Sequence, residues 1–239
     1  MNESSSATRR SKNFHQDIKH KIKRKTMNLQ HNPNNIVIKG TPLETAKRAI
    51  VMLHGRGASA RDILSLTDYL EGADYAYVAP QATQSTWYPH SFMAPTEANE
   101  PGLSSALEVV GKIVARLHDE FGFAHENIFL LGFSQGACLS LEYVARNPLR
   151  FGGVFGLSGG LIGPENQLPD YAGDLQQTPV FLGCSDVDPH IPKVRVLESE
   201  QVFKGLNANV VTKLYKNFPH SVNDDELEIV NQVLTTTVF

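Results

Sequence analysis

Cysteine is scarce in this sequence, whose 239 residues include only Cys138 and Cys184. Two cysteines in a chain of this length do not make the disulfide framework of a small secreted protein. Buried free thiols persist in a reducing compartment, so the cysteine content predicts a cytoplasmic protein.

Long apolar runs and metal-binding clusters are also missing. No apolar stretch approaches the ~20 residues that a membrane-spanning helix needs. The N-terminal segment lacks the apolar core of a secretory signal. No group of histidines and cysteines has the spacing of a zinc site. We therefore expect no membrane span, no metal and no other cofactor.

Acidic residues are few in the first 27 positions, where eight Lys and Arg accompany only Glu3 and Asp17. This tail carries a net charge of +6 and the remainder carries −9. An acidic body argues against nucleic acid as the main ligand. For residues 1–27 three interpretations stay open: a disordered extension, a weak contact with a polyanion, or codons that precede a true start at Met27. We expect the segment to be disordered or extraneous and residues 28–239 to form one domain.

Strand and helix patterns alternate along most of the chain. Short apolar runs predict strands at 35–39, 49–53, 76–79, 128–131, 153–157, 179–183 and 210–215. Helical spacing of apolar residues predicts helices at 60–70, 103–121, 137–146 and 194–206, and Asn223 with Glu226 forms a capping box for a final helix. This alternation predicts an α/β fold, with a mostly parallel central sheet and helices on both faces. In such sheets ligands bind beyond the carboxyl ends of the strands.

Residues 132–136 have the pattern G-x-S-x-G, with Ser134 at its centre. The pattern alone arises by chance, and a plain glycine-rich turn is the alternative interpretation. Here a predicted strand precedes it and a predicted helix follows it. A serine on such a turn projects its hydroxyl out of the sheet, and the flanking glycines avoid clashes with neighbouring backbone. Ser134 is therefore a candidate nucleophile.

A serine nucleophile needs a base and a carboxylate that orients the base. Asp186 and Asp188 follow the predicted strand 179–183, and both are candidates for the carboxylate. His220 follows the strand 210–215, whereas His190 lies too near Asp188 on the same loop to be the better base. The resulting order of Ser, Asp and His is the one expected for this fold.

The tetrahedral intermediate needs two backbone N–H donors. Gln135 offers one, because it directly follows Ser134. Arg56 offers the other, in the turn after the strand 49–53, although that turn could also be a tight turn with no ligand.

Together these segments resemble the phospholipase/carboxylesterase family of α/β-hydrolases, which includes the acyl-protein thioesterases. The resemblance implies that Asp188, directly before a proline, is the triad acid and that Arg56 and Gln135 are the oxyanion donors. The matching segments are Leu53-His54-Gly55, Gly132-Phe133-Ser134-Gln135-Gly136-Ala137, Gly156-Leu157-Ser158-Gly159, Asp186-Val187-Asp188-Pro189-His190-Ile191-Pro192 and His220-Ser221.

The chain also departs from the thioesterases. They carry leucine at the position of Arg56, and glycines at the positions of Phe218 and Pro219. Residues 87–95 look more like a bacterial subgroup of small esterases. Trp87, Tyr88 and Phe92 are candidates for the walls of the substrate pocket, although they could instead pack this loop onto the body. Arg56 could attract an anionic substrate group or form a surface ion pair.

The sequence therefore predicts a serine hydrolase that cleaves a small-molecule carboxylic ester through an acyl-enzyme. Thioester hydrolysis, lactone hydrolysis and acyl transfer with the same triad are the enzymatic alternatives. A non-catalytic binding protein with this fold is the alternative from another class. Oligomeric state stays open, with a homodimer among the options.

Overall fold

A seven-stranded sheet forms the centre of the computed structural model, which describes residues 29–236. The predicted basic tail at 1–27 lies outside these residues. The strands are β1 Ile36–Gly40, β2 Arg48–Leu53, β3 Tyr75–Pro80, β4 Ile128–Phe133, β5 Gly153–Leu157, β6 Pro179–Ser185 and β7 Asn209–Tyr215. Their order is β1-β3-β2-β4-β5-β6-β7, and only β1 runs antiparallel to its neighbour. This confirms the predicted mostly parallel α/β sheet.

Among residues 29–236, five α-helices cover the two faces of the sheet. Side chains of α2, α3 and α4 share one apolar cluster, whereas side chains of α1 and α5 belong to a second. The helices are α1 Ala60–Leu64, α2 Gly102–Asp119, α3 Gln135–Arg146, α4 Lys193–Gly205 and α5 Asp224–Thr236.

Strand β2 illustrates why the central strands are continuously apolar. Val51 and Leu53 lie in the first cluster, whereas Ile50 and Met52 lie in the second. All four are fully buried. Because helices cover both faces, the interior residues of a central parallel strand are apolar on both sides, and each such side chain contributes about 1.5–3 kcal/mol through burial.

Three predicted boundaries need correction. The predicted helix at 60–70 is α-helical only to Leu64 and continues as a 3₁₀ helix at Ser65–Tyr69. The hydroxyls of Ser65 and Thr67 donate to carbonyls three residues earlier, which favours the tighter turn. Residues 81–101, which lie between a predicted strand and a predicted helix and which we expect to form a long loop, contain short 3₁₀ helices at Thr83–Ser85 and Thr96–Asn99. Helix α3 begins at Gln135, directly after Ser134.

The capping box of α5 is confirmed. The backbone N–H of Asn223 donates to Glu226 Oε2 over 3.0 Å, and the backbone N–H of Glu226 donates to Asn223 Oδ1 over 2.9 Å. Within the part of the chain that the structure describes, no helix is both long enough and apolar enough to span a bilayer.

Parallel pairing brings the carboxyl ends of β2, β4, β6 and β7 to one edge of the sheet. Leu53 pairs with Gly132 across β2 and β4, and Ser185 pairs with Tyr215 across β6 and β7. The segments that carry the predicted functional residues follow these strand ends, so the fold places them along the same edge.

Candidate active site

Ser134 occupies a sharp turn between β4 and α3. Its φ of 54° and ψ of −119° lie in a region that non-glycine residues rarely adopt. A Cβ on Gly132 would collide with the backbone of Gly136, and a Cβ on Gly136 would collide with the carbonyl of Leu53. Both glycines are therefore required by close backbone approach, and the turn holds the serine at the sheet edge. Such a backbone conformation costs on the order of 1–3 kcal/mol and occurs mainly at functional sites.

An unbroken hydrogen-bonded chain links Asp188, His220 and Ser134. With its proton on Nδ1, the His220 ring donates to Asp188 Oδ2 over 2.7 Å. Its Nε2 then accepts from the hydroxyl of Ser134 over 2.9 Å. The three side chains come from the ends of β6, β7 and β4, so the sheet brings together residues that are up to 86 positions apart.

Asp188 is held in place by its own loop. Its Oδ1 accepts from the backbone N–H groups of His190 and Ile191 over 2.8 and 3.0 Å. Burial by itself would raise the pKa of the Asp188 carboxyl, but the hydrogen bonds from His220, His190 and Ile191 outweigh it and lower that pKa. The carboxylate is therefore ionised at neutral pH and able to orient the imidazole.

The two competing residues on that loop have other contacts. Asp186 accepts a hydrogen bond from the backbone N–H of Asn217 over 2.8 Å, which fixes the turn before His220. The ring of His190 is exposed and lies edge-on to the ring of His220, with 4.9 Å between ring centroids. The hydrogen-bonded chain to Ser134 therefore runs through Asp188 and His220.

The turn after β2 packs directly against the Ser134 turn. A Cβ on Gly55 would lie 3.4 Å from the Cβ of Ser134. Within the described part of the chain, no protein group accepts from the backbone N–H of Arg56 or of Gln135. The N–H of Gln135 also belongs to the first turn of α3, where helix N–H groups lack partners and favour negative charge.

The buried ring of His54 stabilises this turn through two hydrogen bonds. It is 1% exposed, its Nδ1 donates to the carbonyl of Gly55 over 2.7 Å, and its Nε2 accepts from the N–H of Ala82 over 3.1 Å. Burial lowers the pKa of His54, which keeps the ring neutral with one nitrogen donating and the other accepting.

Two side chains connect the 86–90 loop to the catalytic edge. The Gln135 amide accepts from the N–H of Trp87 over 2.9 Å and donates to the carbonyl of Tyr88 over 2.8 Å. The guanidinium of Arg56 donates to Thr86 Oγ1 over 2.9 Å and to two carbonyls, of Pro89 over 3.0 Å and of His90 over 2.6 Å. The loop thus has a fixed position relative to Ser134.

A cavity of about 640 Å³ opens at Ser134 and His220. Tyr88 and Phe92 line it, together with Phe133 and Ile191. A volume of this size accommodates a small organic molecule.

Trp87 does not line this cavity, and the pocket prediction is corrected at that position. Its side chain is 0% exposed, and its indole N–H donates to the carbonyl of His54 over 2.9 Å. The ring therefore packs the 86–90 loop onto the body, as the alternative interpretation expected.

Cys138 also lines the cavity, one helical turn after Ser134. Burial raises the pKa of its thiol to about 12. The thiol is therefore neutral at physiological pH and is a poor nucleophile beside the serine.

Sequence reasoning did not assign roles to His54, to the Gln135 side chain or to Arg195. Arg195 is fully buried, and its guanidinium donates to the carbonyls of Leu161, Gly163 and Pro164 over 2.7–2.8 Å. It lies 5.9 Å from the ring centre of Phe92 and so supports the cavity wall. Its helix has little amphipathic pattern, so no sequence signal separates this buried arginine from an exposed one.

Comparison with known proteins places the chain among related hydrolases. The model of the phospholipase/carboxylesterase family matches residues 33–238. A solved phospholipase/carboxylesterase from Dyadobacter fermentans is 46% identical, with a TM-score of 0.82, and the match covers 86% of this chain and 97% of that one.

Two curated yeast proteins named acyl-protein thioesterase 1 are more distant. The one from Kluyveromyces lactis is 29% identical over 85% of this chain and 97% of its own, and the one from Saccharomyces cerevisiae is 28% identical over 78% and 91%. The higher identity to the bacterial protein agrees with the predicted resemblance to a bacterial subgroup. With these matches, and with a serine at the sharp turn after the fourth strand, the chain belongs to the phospholipase/carboxylesterase family and hydrolyses ester bonds.

Proposed function

We propose that this protein is a serine hydrolase that cleaves small carboxylic esters, with Ser134 as nucleophile, His220 as general base and Asp188 as the residue that orients His220. The observation that carries the proposal is the hydrogen-bonded chain from Asp188 through His220 to Ser134, with distances of 2.7 and 2.9 Å. Both distances lie within the range needed for proton transfer.

The reaction proceeds in two halves. Ser134 Oγ attacks the ester carbonyl while His220 Nε2 takes the hydroxyl proton, and Asp188 stabilises the imidazolium that forms. The imidazolium then gives its proton to the leaving alcohol as the acyl-enzyme forms. Water attacks the acyl-enzyme with His220 again as base, which releases the acid and regenerates Ser134.

The backbone N–H groups of Arg56 and Gln135 form the proposed oxyanion hole. Gln135 directly follows Ser134, Arg56 follows Gly55, which packs against the Ser134 turn, and the described residues leave both N–H groups without an acceptor. Donors that are already oriented need no reorganisation as the negative charge develops on the carbonyl oxygen, and each contributes on the order of 10²–10³ in rate.

Thioester hydrolysis is the second candidate, favoured by the yeast relatives named acyl-protein thioesterase 1. The same side chains would serve it. Lactone hydrolysis requires no additional group either. A panel of an ester, a thioester and a lactone with matched acyl groups, compared by kcat/KM, distinguishes these reactions.

The proposed compartment is the cytoplasm, in keeping with the two free and buried cysteines.

The test is the hydrolysis of p-nitrophenyl butyrate by four variants. Ser134→Ala, His220→Ala and Asp188→Asn should each lower kcat by about 10⁴-fold or more. Asp186→Asn is the matched control, because Asp186 lies on the same loop but bonds to the backbone of Asn217. It should retain kcat within about tenfold.

A fluorophosphonate probe supplies an independent readout. It should label Ser134 in the folded protein and leave Ser134→Ala unlabelled. A folded protein that the probe does not label, and that hydrolyses none of the three substrate classes, would favour the non-catalytic binding protein.

A further inference from the structure

The cavity at Ser134 is lined by one cationic side chain, Arg56, and by the three histidines His90, His190 and His220. Among the described residues that line it there is no Asp or Glu, and burial keeps the Tyr88 hydroxyl and the Cys138 thiol neutral by raising their pKa values. This contrasts with the net charge of −9 on the chain beyond residue 27. A cleft lined by one sign of charge concentrates ligands of the opposite sign.

Arg56 is an ordered cation whose charge is not neutralised. Its three hydrogen-bond acceptors are a hydroxyl and two carbonyls, of Thr86, Pro89 and His90, and all three are neutral. Among residues 29–236, no carboxylate forms an ion pair with it. The predicted alternative of a surface ion pair therefore has no counterpart in the described residues.

Part of the guanidinium remains available to a ligand. Two contacts of Nη1 and one contact of Nη2 go to the 86–90 loop. The Nε–H and a second Nη2–H have no acceptor among the described residues. These two nitrogens share one edge of the planar group, and a carboxylate or phosphate can accept from such an edge through two oxygens.

Arg56 and Ser134 line the same cavity. The guanidinium carbon of Arg56 lies 5.9 Å from the ring centre of Tyr88, a residue of the cavity wall. The side chain loses little further freedom on binding a ligand, because the loop already holds it.

We propose that the preferred substrate carries an anionic oxygen group, a carboxylate or a phosphate, which the Arg56 guanidinium binds while Ser134 attacks the ester carbonyl. This inference rests on the proposed ester hydrolysis at Ser134. It adds the substrate class, and it assigns Arg56 a specificity role through its side chain in addition to the backbone role in the oxyanion hole.

The test compares two substrates of nearly equal size, mono-p-nitrophenyl succinate and its methyl ester, which lacks the charge. At constant low ionic strength, kcat/KM should be about tenfold or more higher for the charged substrate. Arg56→Leu should lower this ratio about tenfold, mainly through KM, and Arg56→Lys should retain part of it. If Arg56→Leu displaces the 86–90 loop, kcat/KM changes by the same factor for both substrates, so the ratio does not change. Arg61→Leu, which removes an exposed cation near β1, is the control and should leave the ratio unchanged.

Competitive inhibition distinguishes the two kinds of anion. Propionate and inorganic phosphate are each tested against hydrolysis of the neutral methyl ester. At least one should inhibit competitively, with a Ki about tenfold higher in Arg56→Leu than in the unaltered protein. The stronger inhibitor identifies the group that the site prefers.

Two outcomes would contradict the inference, and the second would also contradict the proposed ester hydrolysis. In the first, the unaltered protein hydrolyses the neutral ester, but the ratio of kcat/KM for the charged and the neutral substrate is the same in the unaltered protein and in Arg56→Leu. This result would overturn the anionic substrate class and leave the proposed ester hydrolysis intact. Failure to hydrolyse either ester, together with an unlabelled Ser134, would overturn both.

Discussion

The side-chain Oε1 of Gln135 accepts the backbone N–H of Trp87 over 2.9 Å. Gln135 directly follows Ser134, and in the proposed mechanism its backbone N–H donates to the oxyanion. The side chain of the same residue holds the 86–90 loop through Trp87 and Tyr88. The indole N–H of Trp87 donates in turn to the carbonyl of His54, two residues before Arg56.

Gln135→Ala separates these two contributions, because it keeps the backbone N–H and removes the contacts to Trp87 and Tyr88. We expect kcat/KM for p-nitrophenyl butyrate to fall about tenfold, as loosening of the loop misplaces the cavity wall. Gln201→Ala, at an exposed position of α4, is the control and should leave kcat/KM unchanged. Equal activity of both variants would show that the loop is held by other contacts.

Acid should destabilise the protein through His54. Burial lowers its pKa from the ordinary value of 6.5, so below that pH the unfolded chain binds a proton that the folded protein excludes. The contribution of His54 to the free energy of unfolding should therefore fall as the pH drops below about 6.5. Urea denaturation between pH 7.5 and 5.5 measures this slope.

His54→Gln cannot titrate, and we expect it to show a shallower slope over the same pH range. The remaining slope includes His31 and His125, whose pKa values burial also lowers, and the opposite contribution of Glu226. Identical slopes for the two proteins would contradict the assignment to His54.

Glu226 should have the opposite dependence on pH. Burial raises its pKa from 4.5 to about 7, so the folded protein binds a proton more tightly than the unfolded chain. The contribution of Glu226 to stability is present below about pH 4.5 and is lost as the pH rises through about 7. Glu226→Gln keeps a capping oxygen for the N–H of Asn223 and should be more stable than the unaltered protein at pH 8, by about 1–3 kcal/mol.

The difference between these two proteins should shrink toward pH 5, where Glu226 is already protonated in the folded state. Thermal unfolding at both pH values measures it. A Glu226→Gln variant that is less stable at pH 8 would show that the carboxylate is needed at the start of α5.

Arg195→Met should destabilise the fold by about 2–4 kcal/mol. The substitution preserves much of the apolar volume but leaves the carbonyls of Leu161, Gly163 and Pro164 without their donor. The exposed pair of Lys204 and Glu200 on the same helix provides the comparison, and Lys204→Met should cost less than about 1 kcal/mol. Guanidinium denaturation of the two variants distinguishes the buried contacts from the exposed pair.

The sequence was sufficient for the features that depend on chain order and backbone sterics. Two glycines around Ser134, a carboxylate after the sixth strand and a histidine after the seventh predicted the main residues of the site. Parallel strands place their carboxyl ends at one edge whatever the side-chain details, so the proximity of these residues follows from the order of the strands.

Side-chain contacts across the sheet edge could not be read in this way. Gln135 reaches a loop 48 positions away, and Arg56 reaches a carbonyl 33 positions away. Trp87 was predicted to line the pocket because aromatic side chains in a loop after a strand often do so. Its indole N–H instead donates to the buried carbonyl of His54. Such pairings depend on where the loop folds back, and local patterns do not encode that direction.

The order of the strands also has a consequence for how the protein loses activity. His220 follows β7, which pairs only with β6 and forms one border of the sheet. Border strands detach at a lower free-energy cost than central ones, through openings that leave the rest of the fold intact. We therefore expect heat or denaturant to abolish turnover before the central strands exchange their amide hydrogens, so enzymatic activity serves as an early reporter of fraying at this border.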